Sequence, residues 1–97
     1  MILLVTYDLK GPAGSYADLF DELKSQQSWC HYMASTWLVQ TDLDADALVD
    51  QLRRYFKGGD RLLVVPLQPG YQGLLPKKAW NWIKNHRDWF DTRDDSK

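Results

Sequence analysis

Two runs, Ile2-Leu3-Leu4-Val5-Thr6-Tyr7-Asp8-Leu9 and Asp60-Arg61-Leu62-Leu63-Val64-Val65-Pro66-Leu67, are β-prone and almost wholly apolar. Strands of this kind need cover on both faces, so the rest of the chain has to supply it. After the first run, Lys10-Gly11-Pro12-Ala13-Gly14 is turn chemistry. Ser15 stands where an N-cap would, with Asp18 in capping-box position. Tyr16, Leu19, Phe20 and Leu23 recur at helical spacing, and the stripe fades at Ser25-Gln26-Gln27. Residues 29–33 and 36–41 are again β-prone, with Ala34-Ser35 between them, which predicts a hairpin. Asp44 is placed to cap a second helix carrying Leu48, Val49, Leu52 and Phe56 and ended by Gly58-Gly59. A loop over 68–75 and a third helix over 76–90 follow the last strand, and 91–97 is a polar tail.

The order is β-α-β-β-α-β-α. Its first six elements predict an α+β fold of the ferredoxin-like βαββαβ type, with an added C-terminal helix. A single domain over 1–90 is expected, since 97 residues bury one modest core. The two apolar strands are expected in the centre of the sheet. Two helices cover one sheet face only, so the other must meet the third helix, a second copy of the chain, or both.

Composition narrows the setting. The lone cysteine, Cys30, cannot form an internal disulfide, which suits a reducing cytoplasm. No apolar run approaches the ~18 residues of a membrane span, and the first residues are too short and uncharged a run for a signal peptide. A cytoplasmic protein without membrane contact is expected. Residues 1–52 carry Lys10 and Lys24 against eight acidic groups, a net −6, whereas residues 53–97 carry ten basic and five acidic groups, a net +5. The whole chain, at −1, lacks the overall basic footprint of a protein that coats a long polyanion. A local site for a small anion stays open.

That site is expected where the third helix begins, at Leu75-Pro76-Lys77-Lys78-Ala79-Trp80-Asn81-Trp82. Pro76 suits a first helical turn, yet Lys77 and Lys78 place cations beside the positive end of the helix dipole. Free N–H groups, ammonium groups and flat rings together match an anionic ligand with an aromatic part. Equally, the tryptophans can be core and the lysines solvated. Trp82, Ile83, His86 and Phe90 form the packing stripe, which leaves Trp80 on the other side as the exposed ring, with Lys77, Lys84 and Arg87 lining a basic strip. Tyr71 lies between Gly70 and Gly73, where the backbone can approach a ligand closely or simply connect two elements. Trp37 shares a strand face with Val39 and Thr41. It can be a core or interface residue, or a platform on which a base stacks.

Asp8 can ligate Mg²⁺ across a dimer interface, with a symmetry-related Asp8 as second carboxylate. It can equally cap the following turn or pair with Lys10 or Arg61. Cys30 and His31 are adjacent in a strand and point to opposite faces, so a shared nucleophilic or zinc site is poorly served. No cofactor is expected.

Tyr7-Asp8-Leu9 at the end of the first strand resembles the Tyr-Asp-Ile/Leu signature of the small CRISPR-associated adaptation subunit, a ferredoxin-like homodimer; the likeness covers about residues 1–67. Nearly the whole chain is similar to the short phage and bacterial proteins labelled SinR family. The matching stretches are Tyr7-Asp8-Leu9-Lys10, His31-Tyr32, Ser35-Thr36-Trp37-Leu38-Val39, Leu62-Leu63-Val64 and Leu75-Pro76-Lys77-Lys78-Ala79-Trp80. The label names a transcriptional regulator, but no helix-turn-helix pattern is present. The first resemblance implies a metal-dependent nuclease using Asp8, and the phage setting implies host–virus conflict. The third helix stands where the adaptation subunit has a terminal strand exchanged between protomers.

The expected function is that of a non-catalytic homodimer holding a small phosphate-bearing nucleotide through Lys77, Lys78, Trp80, Tyr71, Trp37, Asp8 and Lys10, for instance to sequester a nucleotide signal. Extended nucleic acid is not the expected partner. The alternatives are the Asp8 nuclease and a protein–protein assembly module.

Overall fold

The computed structural model describes residues 1–89, so Phe90 and the tail 91–97 lie outside the described residues. Strands β1 (Ile2–Asp8), β2 (Ser28–Met33), β3 (Thr36–Gln40) and β4 (Arg61–Pro66) alternate with helices α1 (Ala17–Lys24), α2 (Ala45–Leu52) and α3 (Lys77–His86) in the expected order. The four strands form one sheet, β2-β3-β1-β4, with every neighbouring pair antiparallel. The molecule is an α+β sandwich.

β1 holds the centre. Its odd and even residues point to opposite faces, and each face has its own cluster. On the first face Leu3, Val5 and Tyr7 meet Trp37 and Val39 of β3, closed over by Tyr16, Leu19 and Leu23 from α1 and Leu48 and Leu52 from α2. Trp37 is 1% exposed, and its indole N–H donates to the Tyr7 hydroxyl at 2.9 Å. Burial pushes the Tyr7 phenol above its ordinary range, while that hydrogen bond pulls it back. On the second face Ile2, Cys30 and Leu38 meet Ala79 and Ile83 of α3.

Several local expectations need correction. β4 is an edge strand, not a central one. Its apolar run serves the first face through Leu62 and Val64, which pack on the core, while Leu63 and Val65 on the second face stay 59% and 38% exposed. Ser15 does not cap α1. The chain instead enters through a 3-10 turn, Ala13–Tyr16, in which the Ser15 hydroxyl donates to the Pro12 carbonyl at 2.7 Å. Asp44 does cap α2, its carboxylate accepting from the Ala47 N–H at 2.8 Å. Pro76 precedes α3 as its extended N-cap (ψ 151°) rather than lying within its first turn.

Asp60 ties the loops at one end of the sheet. Its carboxylate accepts from the backbone N–H groups of Lys10 (2.7 Å) and Lys57 (2.8 Å) and from the Tyr16 hydroxyl at 2.9 Å. The Tyr16 hydroxyl in turn accepts from the Gly11 N–H at 3.0 Å, so closely that a Cβ on residue 11 would sit 2.9 Å from that oxygen.

Candidate site at the entry to the third helix

α3 is laid on the second face by Ala79 and Ile83, one helical turn apart, which are 1% and 2% exposed. Trp80 and Trp82 flank this stripe on either side, both half-buried. Trp82 donates its indole N–H to the Ser28 hydroxyl at 3.0 Å, which pins the helix to β2. Trp80, expected to be the exposed ring, is instead partly covered. It lies nearly parallel to Tyr71, with ring centres 6.2 Å apart and an interplanar angle of 19°. The loop that carries Tyr71 therefore folds back on the helix it precedes. Arg87 donates to the Tyr71 hydroxyl at 3.2 Å, bringing a third cation to the aromatic pair.

Lys77 and Lys78 are exposed and form no ion pair with any described residue. The helix start has no acidic residue in its first turn and no side-chain cap. Its backbone hydrogen bonding begins at Ala79 and Trp80, both of which donate to the Pro76 carbonyl. Lys77, Trp80 and Lys84 follow one another at i, i+3 and i+7 and so share a helix flank. This arrangement can attract an anion and offer it the edge of an aromatic pair.

The remaining residues of the expected site are elsewhere. Trp37 belongs to the opposite sheet face from α3. His31 stacks on it with ring centres 3.9 Å apart, and Phe20 lies near-parallel at 6.3 Å. Buried among these rings, Trp37 has no face for a ligand base, because its indole completes the α1–α2 core. Asp8 and Lys10 pair with each other at 2.9 Å at the far end of β1 from Ile2, and Asp8 stands opposite Arg61 in the ladder. Both Asp8 and Lys10 are well exposed, so the pair is held in water, where such bridges are weak. Among the described residues no group of three or more His, Cys, Asp or Glu is placed to hold a metal ion.

Cys30 is buried against α3, and the lost hydration raises its thiol pKa to about 11. A thiol held protonated in this way is a packing group rather than a nucleophile. Asp60 is the polar hub that sequence reasoning passed over. Its signal was local, because an acid directly after Gly58-Gly59 is placed to accept N–H groups from its own turn.

Among the described residues no helix is long and apolar enough to cross a membrane. Compared with family models, curated proteins and solved structures, the chain matches no family, no curated relative and no solved structure.

Proposed function

We propose that this chain is a homodimeric, non-catalytic binding protein of ferredoxin-like fold that holds a small phosphate-bearing nucleotide at the entry to α3. The sheet order β2-β3-β1-β4, with α1 and α2 on one face, supports the ferredoxin-like part. The observation that carries the ligand is the uncompensated positive charge of the helix start. Lys77 and Lys78 are exposed without carboxylate partners among the described residues, on a terminus whose dipole already disfavours cations. An anion relieves that conflict. The half-buried Tyr71–Trp80 pair beside it offers a flat apolar surface for the base. In this reading Lys77 and Lys78 neutralise phosphate and Trp80 and Tyr71 take the base, while Trp37, Asp8 and Lys10 serve the fold. Sequestering a nucleotide signal in phage–host conflict is a use that fits binding without turnover.

Calorimetry with mono-, di- and cyclic nucleotides tests the reading. Charged hydrogen bonds contribute about 1.5–3 kcal/mol each, so the Lys77→Gln/Lys78→Gln variant is expected to bind about a hundredfold more weakly or worse. It should melt no lower than the parent, because neutral residues suit a helix start better. Unchanged binding in the variant places the ligand elsewhere, and no nucleotide bound by the parent ends the proposal.

A further inference from the structure

We infer that two copies of this chain join through β4, edge to edge, in an antiparallel register centred on Val64, making one continuous sheet across the dimer. The inference rests only on the homodimer part of the reading above and is independent of the ligand.

The backbone carries the argument. The Leu67 N–H donates to the Ile2 carbonyl, which fixes the phase of the β1–β4 ladder. From that phase Arg61, Leu63 and Val65 direct their backbone groups to β1, and Leu62, Val64 and Pro66 direct theirs outward. No backbone group among the described residues pairs with β4 from the outer side. Pro66 sits at an outward position, so the N–H it lacks is one that β1 never needed. The other edge is treated differently. β2 has a register shift between Cys30 and Met33, and α3 is bonded to it through Ser28. A bulge and a covering helix are standard protection of an edge. Among the described residues β4 has neither, Arg61 is its only charged residue, and the outward Pro66 at its end withholds just one N–H from an incoming strand.

Side chains select the register. With Val64 opposite the partner's Val64, the pair exchanges hydrogen bonds in both directions, and each Leu62 N–H reaches the partner's Pro66 carbonyl. Leu63 then faces the partner's Val65 in both halves, covering the exposed apolar side chains of the second face. Arg61 and the partner's Arg61 fall at opposite ends of the ladder, roughly 20 Å apart at about 3.3 Å per residue. Centring on Leu63 instead sets Arg61 against the partner's Val65 and leaves less apolar surface covered.

The test uses substitutions at the exposed Leu63 and Val65, where the fold tolerates change. Light scattering at micromolar concentration is expected to give twice the mass of one chain for the parent. Leu63→Glu/Val65→Glu, which opposes like charges in both halves, is expected to be a folded monomer by circular dichroism. Leu63→Lys/Val65→Glu, which opposes unlike charges, is expected to be a dimer again. In this register the 63–65 pair is not hydrogen-bonded, with Cα atoms about 4.5 Å apart, so mixed Leu63→Cys and Val65→Cys chains should cross-link on mild oxidation. Leu63→Cys alone should cross-link far less, because its Cα separation from the partner's residue 63 is roughly 7–8 Å, beyond disulfide reach. A glutamate variant that stays dimeric, or a Leu63→Cys chain that links best to itself, overturns this register while the homodimer stands. A monomeric parent overturns both.

Discussion

The two faces of the sheet are built from similar residues but finished to different degrees. The first face is sealed by two helices whose leucines reach zero exposure, and its largest ring, Trp37, is locked by a hydrogen bond inside the cluster. The second face is sealed by one helix over β2, β3 and the start of β1, and it leaves Leu63 and Val65 of β4 open. The first face is therefore the tighter core, and the second keeps apolar side chains of β4 exposed. The basic helix entry, the aromatic pair and the bare strand edge all belong to the α3 side or border it.

The contrast can be broken most severely at Trp37. Trp37→Ala empties a fully enclosed site and orphans the Tyr7 hydroxyl, so a loss of about 3–5 kcal/mol is expected in denaturant unfolding. A loss under about 1 kcal/mol would mean that the first face is no tighter than the second. Ile83→Ala, at the matching position of α3, should cost less, about 2–3 kcal/mol, because the helix edge can settle onto the sheet. It should also speed alkylation of Cys30 well beyond what global unfolding allows, since α3 covers that thiol. Equal acceleration by both variants would show that the faces open together.

The smallest effect concerns acid. The N–H of Lys10, then that of Lys57 and the Tyr16 hydroxyl, hold the Asp60 carboxyl below its usual range against the opposing cost of desolvation. A carboxylate lowered by folding contributes stability that is present above its unfolded pKa, about 3.9. That contribution is lost as pH falls through the lower folded value. Melting temperature should therefore hold from neutrality to about pH 4 and decline below it, and Asp60→Asn should flatten the decline. Because Asp60 braces the Tyr16 side of the first face, Cys30 should stay protected through the early part of that loss. Early exposure of Cys30 would contradict the separation.

Much of this was legible in the sequence. The stripes Leu19–Leu23 and Leu48–Leu52 and the Asp44 cap are local patterns, and local patterns survive into the fold. Placing β4 at the edge was not legible, because an apolar run reads alike whether one face or two are covered. The Tyr71–Trp80 stacking depends on a glycine-bearing loop turning back, which periodicity does not encode. Trp37 and Trp80 carry the same side chain, and it is the phase of β3 that turns the one into the core and the phase of α3 that leaves the other beside the lysines. The exposure of Lys77 and Lys78 did follow from the sequence, since charge without a partner stays in water.

The central position of β1 has a consequence for synthesis. Of the four strands it is synthesised first, and both of its ladder partners, Thr36–Gln40 and Arg61–Pro66, are encoded later. At about 5–20 residues per second, roughly 3–12 s pass between the first strand and the last. Ile2-Leu3-Leu4-Val5 has nothing to pair with until Thr36–Gln40 emerges, and its other edge stays open until Arg61–Pro66 follows, the form in which chains are most easily captured by chaperones or by one another. Slowing translation within the second helix should thus reduce soluble yield without altering the finished protein.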